Sequence, residues 1–418
     1  MAGIMDPTPP PATTSDAASG RSVRGALAEF VHDETAGGVV LVIATIIGLT
    51  WANLATASYA SFWSHPINVS LGFADVHETY AEFVNDGLMT IFFFVVGLEI
   101  KRELVVGELR DRRAAALPFV AALGGMAVPV LVFLAVTAGD AGVHRGWAIP
   151  IATDIAFVMG VIALLGRRVP TSLRLFLLTL AIVDDIGGIL VIAFVYTGDF
   201  SPIWLGEGIV LVAVILAMRH FGVHRIWPYV LVGVPFWFTM LESGVHATIA
   251  GVVLGLLTPA RPLDGRNVIE ELEHRLHPLS AFVVVPIFAL ANTGILLSRG
   301  RLDAALGSAL AWGVLLGLVV GKPVGIICAT WLAQRLRIGV LPEGLAMRHV
   351  IGGGMLAGIG FTVALFITEL SLGAGEEADI AKLAILAASV VAAAAGAVAL
   401  LIAHRGARSR GADRRVER

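Results

Sequence analysis

Leu173-Arg174-Leu175-Phe176-Leu177-Leu178-Thr179-Leu180-Ala181-Ile182-Val183-Asp184-Asp185-Ile186-Gly187-Gly188-Ile189-Leu190-Val191-Ile192-Ala193-Phe194-Val195 is an apolar run with two adjacent aspartates at its middle. A spanning helix needs about 20 mostly apolar residues, and this run is long enough. A carboxylate at mid-membrane costs about 2.5–3.5 kcal/mol on insertion scales. Two in succession point to a place where cations or protons are handled.

The rest of the chain has the same character. Its 418 residues are 57% hydrophobic and 15% charged, against about 25% charged in soluble domains. The composition predicts an all-α polytopic membrane protein. Cys328 is the single cysteine, so no intrachain disulfide can form. Residues 1–25 are polar and contain Pro7-Thr8-Pro9-Pro10-Pro11. They lack the basic and apolar regions of a signal peptide and read as a disordered tail.

Twelve segments are candidate spans: 38–54, 84–100, 114–137, 148–165, 175–196, 204–218, 226–241, 244–259, 279–297, 307–334, 349–371 and 381–403. Residues 26–403 thus form one transmembrane domain, and 404–418 a basic cytoplasmic tail that grazes anionic lipid at most. Basic residues concentrate on the cytoplasmic side of spanning helices. With both termini inside, 24 of the 29 Lys and Arg residues fall in inner segments, and only Arg145, Arg299 and Arg301 in outer loops. One miscounted span would scramble that alternation. The outer segment 55–80 reads either as an irregular loop or as a small hairpin around Pro66-Ile67-Asn68-Val69-Ser70-Leu71.

Several ionisable groups do not belong in lipid. Lys322 lies about fifteen residues from either end of span ten, too deep to snorkel. It needs an internal counter-charge, and span five offers one. Successive helical residues point about 100° apart, so Asp184 and Asp185 face different ways. One can pair with Lys322 while the other faces an aqueous funnel. Carboxylates, carbonyls and water suit hard cations. When the cation leaves, neighbouring carboxylates in a low dielectric gain by binding protons. Cation and proton then compete for one site, which is what antiport requires when exposure alternates.

Two spans read as interrupted. In span four, Pro150 precedes Thr153 and Asp154; in span eleven, Gly352-Gly353-Gly354 precedes Gly358-Ile359-Gly360-Phe361-Thr362. Proline removes a backbone donor, and glycine is costly in a helix interior. Broken spans are tolerated where they line a cavity or are buried in protein. Asp154 would then offset the positive ends of the half-helices. Spans three to five and ten to twelve match as an inverted-topology repeat, each with a discontinuous middle helix.

The motifs together resemble the NhaA-type Na+/H+ antiporters, a bacterial secondary-transporter family known for such repeats. The runs carrying the resemblance are Asn85-Asp86-Gly87-Leu88-Met89; Phe92-Phe93-Phe94-Val95-Val96-Gly97-Leu98-Glu99-Ile100-Lys101-Arg102-Glu103-Leu104; Gly146-Trp147-Ala148-Ile149-Pro150-Ile151-Ala152-Thr153-Asp154-Ile155-Ala156-Phe157; Leu180-Ala181-Ile182-Val183-Asp184-Asp185-Ile186-Gly187; Ser243-Gly244-Val245-His246-Ala247-Thr248; Leu276-His277-Pro278; Gly321-Lys322-Pro323; Leu341-Pro342-Glu343-Gly344; and Gly358-Ile359-Gly360-Phe361-Thr362. In this order they span most of residues 25–403.

The resemblance implies roles. Asp185 is the primary cation and proton ligand, and Asp184 the partner of Lys322. Thr153 and Asp154 mark the helix crossing. Glu99, Lys101, Arg102, Glu103, Glu273 and His277 match a funnel cluster linked to pH activation. His246 matches a histidine with a pH-related role, and beside Gly244 and Thr248 it also suits a packed, hydrogen-bonded core position; Asp86 matches an acidic position near the outer end of span two. The implied activity is electrogenic, pH-regulated export of Na+ (or Li+) for protons, with no cofactor and no enzymatic step. A homodimer in the bacterial inner membrane is implied, and no nucleic acid partner. His277, just before Pro278, also suits a helix start, and Lys101-Arg102 a topology signal. An intramembrane aspartyl protease would need aspartates on two helices and a Gly-x-Gly-Asp run, which this chain lacks. A channel would draw charge rings from several subunits.

Overall fold

The computed structural model describes residues 34–416, apart from 71–74, 199, 224 and 261–266. The predicted N-terminal tail at 1–25 lies outside the described residues. The chain is helical almost throughout. Among the described residues, eight helices are long and apolar enough to span a membrane, and two bent pairs raise the number to ten. The bent pairs are span four, Ala141–Ile151 with Ile155–Arg168, and span eleven, Met347–Ala357 with Phe361–Leu372.

The other two expected spans are helices too, but short. Span seven is Trp227–Glu242, 16 residues. Span eight is Thr248–Leu257, only 10 residues. It lies against span two, Tyr80–Val105, backbone to backbone. A Cβ on Gly251 would stand 2.2 Å from the Thr90 carbonyl, and one on Gly255 2.6 Å from that of Phe94. Small residues four apart allow such an approach where no hydrophobic effect drives helices together. Spans three and ten, Arg112–Val136 and Ala309–Arg335, meet likewise at Gly124 and Gly325.

Two expectations about helix boundaries need correction. The Gly352-Gly353-Gly354 run does not break span eleven. It sits inside the helix Met347–Ala357, and the break comes at Gly358–Gly360. The glycines serve packing instead: Gly352 abuts Leu400 of span twelve, and Gly353 abuts Leu173 and Leu177 of span five. His277 is not at a helix start. Span nine, Val268–Asn292, runs through His277-Pro278 and takes up the disturbance in a π-turn at Ser280–Val284.

The outer segment folds as a short helix, Thr56–Trp63, and an antiparallel hairpin. Strand β1, Pro66–Ser70, pairs with β2, Asp75–Thr79, with Ile67 opposite Glu78. The last helix, Glu376–Val416, continues past the expected boundary at 403.

Spans three, four, five, ten, eleven and twelve pack together. Spans one, two and nine form a neighbouring wall, with Glu34–Leu54 as span one. Each triplet of the proposed repeat holds one bent helix, bent by 47° in span four and 45° in span eleven. The two breaks meet at the centre, beside the middle of span five, Thr171–Val195.

Candidate functional site

The first half of span four is a 3-10 helix ending at Ile151, and the second half starts at Ile155. Between them the backbone is extended and joins the break in span eleven. The Asp154 amide donates to the Ile359 carbonyl at 2.7 Å, and the Thr153 hydroxyl oxygen lies 3.1 Å from the Ala357 carbonyl. Backbone groups freed by the breaks are thereby paired, as burial demands.

Asp154 caps both half-helices. Its Oδ1 accepts from the Phe157 amide at 3.0 Å. Its Oδ2 accepts from the Thr362 amide at 3.0 Å and the Thr362 hydroxyl at 2.6 Å. One carboxylate thus sits at two helix N-termini, where partial positive charge collects.

Asp184 and Lys322 are the buried pair. Lys322 Nζ lies 2.9 Å from Asp184 Oδ2, and neither side chain is exposed at all. The ammonium also donates to the Ile151 carbonyl at the end of the first half of span four. Asp184 Oδ2 accepts from the Thr153 hydroxyl at 2.8 Å. Its Oδ1 is buried with no hydrogen-bond donor. Lys322 follows a π-turn at Gly317–Gly321, and a Cβ on Gly321 would stand 2.8 Å from Pro129 Cα. This close contact with span three helps to fix where the lysine emerges.

Asp185 faces another way, as its helical position requires. It lines a cavity of about 910 Å³ together with Glu99, Arg102, Ile155, Glu270, Glu273 and His277. The cavity therefore runs from mid-bundle to the end of spans two and nine that bears Lys101 and Arg102. There Arg102 bonds to Glu273 and lies 3.3 Å from Glu103, which is buried. Half-buried Lys101 follows Glu99 on the same helix.

Aromatic rings of spans two, nine and eleven pack together inside the bundle. Phe366 of span eleven is wholly buried. Its ring centroid is 5.3 Å from that of Phe93 on span two and 6.2 Å from that of Phe288 on span nine.

Two predicted site residues stand apart. His246 Nε2 is 2.8 Å from the Tyr196 carbonyl, at the far end of span five. Asp86 lies in a π-turn, Val84–Leu88, where its carbonyl accepts from the Trp237 indole at 3.1 Å. Neither lines the cavity. Thr362, Glu270 and the Ile151 carbonyl also belong to the site or its approach, although the sequence assigns them no role of their own. Thr362 carried a signal, a hydroxyl two residues after the second glycine of a broken Gly-Ile-Gly.

Among the described residues, no three His, Cys, Asp or Glu side chains form a ready metal cage. A cation at Asp184 and Asp185 would need further oxygens from water, the Thr153 hydroxyl or backbone carbonyls.

Comparison with known proteins supplies the context. A family profile described as Na+/H+ antiporter 1 matches residues 28–400. The chain is 46% identical over 374 residues to Na(+)/H(+) antiporter NhaA 1 of Klebsiella pneumoniae, covering 88% of this chain and 94% of that protein. It is 44% identical over 374 residues to Na(+)/H(+) antiporter NhaA of Shigella dysenteriae and of Escherichia coli O157:H7, covering 88% of this chain and 96% of each relative.

Proposed function

The chain belongs to the Na+/H+ antiporter 1 family, a family of secondary transporters and not of enzymes, and from that premise we propose how its own residues exchange sodium for protons. The observation that carries the proposal is the division between two adjacent carboxylates. Asp185 lines the open cavity, while Asp184 is sealed against Lys322. In this reading Asp185 is the ligand that meets the incoming cation. Asp184 offers its undonated Oδ1 as a second ligand. As the cation binds, Lys322 shifts its hold on Asp184. As it leaves, protons replace it on the pair, and repulsion between two neighbouring carboxylates is relieved.

Alternating access follows from the broken helices. Spans four and eleven are joined through Asp154, Thr153 and Thr362, so they move as one body against the wall of spans one, two and nine. The cavity is then the cytoplasmic funnel, with both termini on that side of the bacterial inner membrane. Exchange of more than one proton per Na+ (or Li+) makes transport electrogenic. The Arg102, Glu103 and Glu273 cluster, with Glu99, Lys101 and His277, forms the pH-responsive mouth. His246 and Asp86 act at the other end, and the hairpin at 66–79 is the contact that joins two copies into a dimer.

Everted membrane vesicles test the core of this reading. Sodium should collapse an imposed pH gradient with the unmodified protein, and Asp185→Asn should abolish that response while the protein still folds. Normal sodium-driven proton movement in Asp185→Asn would remove Asp185 from the site.

A further inference from the structure

A second cavity, of about 360 Å³, lies at the same end of the bundle as the mouth of the first. It is lined by Arg168, Leu401, His404 and Arg405. Arg168 ends the short turn Gly166–Arg168 after span four. His404 and Arg405 stand where the apolar part of the last helix finishes. The cavity is therefore at the level of the membrane boundary.

Its charge is one-sided. Among the described residues, Arg168, His404 and Arg405 have no carboxylate partner. Arg348, at the start of the helix Met347–Ala357, adds to the excess. Its Nε is buried without an acceptor, and its charge and that of His404 both bear on His349. A cation near a helix N-terminus opposes the helix dipole. Arg168 and Arg405 are exposed at the cavity, and their uncompensated charge at the membrane boundary favours an anion from outside the chain. The macrodipole at the end of span four offsets part of the Arg168 charge. It does nothing for Arg405, because the helix continues to Val416.

The cavity also has an apolar wall. Leu401 lines it, and Val398 and Ile402, 54% and 64% exposed, lie on the adjoining helix surface. A ligand with a phosphate head and a hydrocarbon tail satisfies both parts. Arginine forks suit phosphate oxygens, and basic pockets between spanning helices suit anionic headgroups. We propose that the cavity between Arg168, His404 and Arg405 binds a phosphate group carried by an anionic lipid.

The test uses the purified full-length protein in a non-ionic detergent. Thermal unfolding is followed while phosphatidylglycerol, phosphatidylcholine or inorganic phosphate is added. Phosphatidylglycerol should raise the midpoint well above the effect of phosphatidylcholine, because a ligand of the folded state stabilises by mass action. In Arg168→Gln/Arg405→Gln the concentration needed should rise by about tenfold or more, as loss of charge-assisted hydrogen bonds implies. Arg335→Gln/Arg337→Gln, which removes basic residues outside the cavity, should respond like the unmodified protein. Response to inorganic phosphate alone keeps the phosphate site and overturns its lipid source. Equal responses to the two lipids, or equal losses in both double variants, overturn the proposal. If the first variant folds poorly, native mass spectrometry of retained phosphatidylglycerol on Arg405→Gln alone gives the same decision.

Discussion

Lys322 Nζ and Asp184 Oδ2 lie 2.9 Å apart with both side chains wholly buried. Removing one partner leaves an uncompensated charge, which typically costs about 3–5 kcal/mol. Lys322→Ala and Asp184→Asn should each lower the unfolding midpoint sharply. The double variant Asp184→Asn/Lys322→Gln removes both charges, and its loss should be much smaller than the sum. Unfolding in detergent, measured on all four forms, checks this. Additive losses would mean that the pair contributes no coupling.

Asp154 takes three donors from two helix starts, Phe157 and the amide and hydroxyl of Thr362. Hydrogen bonds to a charged group contribute about 1.5–3 kcal/mol each, and a lost cap about 1. Asp154→Ala should therefore destabilise by about 3 kcal/mol or more. Asp154→Asn, which keeps an acceptor, should lose less, and Thr362→Val about 1–3 kcal/mol. Amide exchange should accelerate in Asp154→Ala at the starts of both half-helices. Acceleration in span four alone would show that the carboxylate does not join the two spans.

The helices and their breaks were legible because their signals are local. An apolar run with Pro150 or Gly358-Ile359-Gly360 inside it reads the same in any fold. The pairing of one aspartate with a deep lysine was legible too, from helical geometry and the cost of a lone buried charge. Gly352-Gly353-Gly354 misled because glycine serves close packing as well as bending, and only the neighbouring Leu400 and Leu177 show which. The Ile151 carbonyl and Phe366 were silent in the sequence. A carbonyl acts through position alone, and a phenylalanine among twenty has no distinguishing mark.

Phe366 is wholly buried against the rings of Phe93 and Phe288. If that packing closes the path through the bundle, loosening it should uncouple exchange. Phe366→Ala in proteoliposomes should raise the proton leak measured without sodium. Phe366→Trp should slow exchange while leaving the sodium concentration for half-maximal rate unchanged. Tight coupling in the alanine variant, with normal rates in the tryptophan variant, would place the closure elsewhere.

Glu78, on strand β2, carries a pH dependence of definite sign. Burial, then the charges of Asp86 and Glu82, push its carboxyl from 4.5 up to about 7. One of its oxygens is buried without a partner. Between these values the unfolded hairpin has released a proton that the folded one still holds. Stability then falls as pH rises. The contribution is fully present below about pH 4.5 and is lost as pH rises through about 7. Glu78→Gln keeps the neutral form at every pH, so it should flatten the profile and stabilise the hairpin at pH 8. Protection factors for the amides of residues 77–80, followed from pH 5 to 8, report this directly. An unchanged slope in Glu78→Gln would assign the pH dependence to another group.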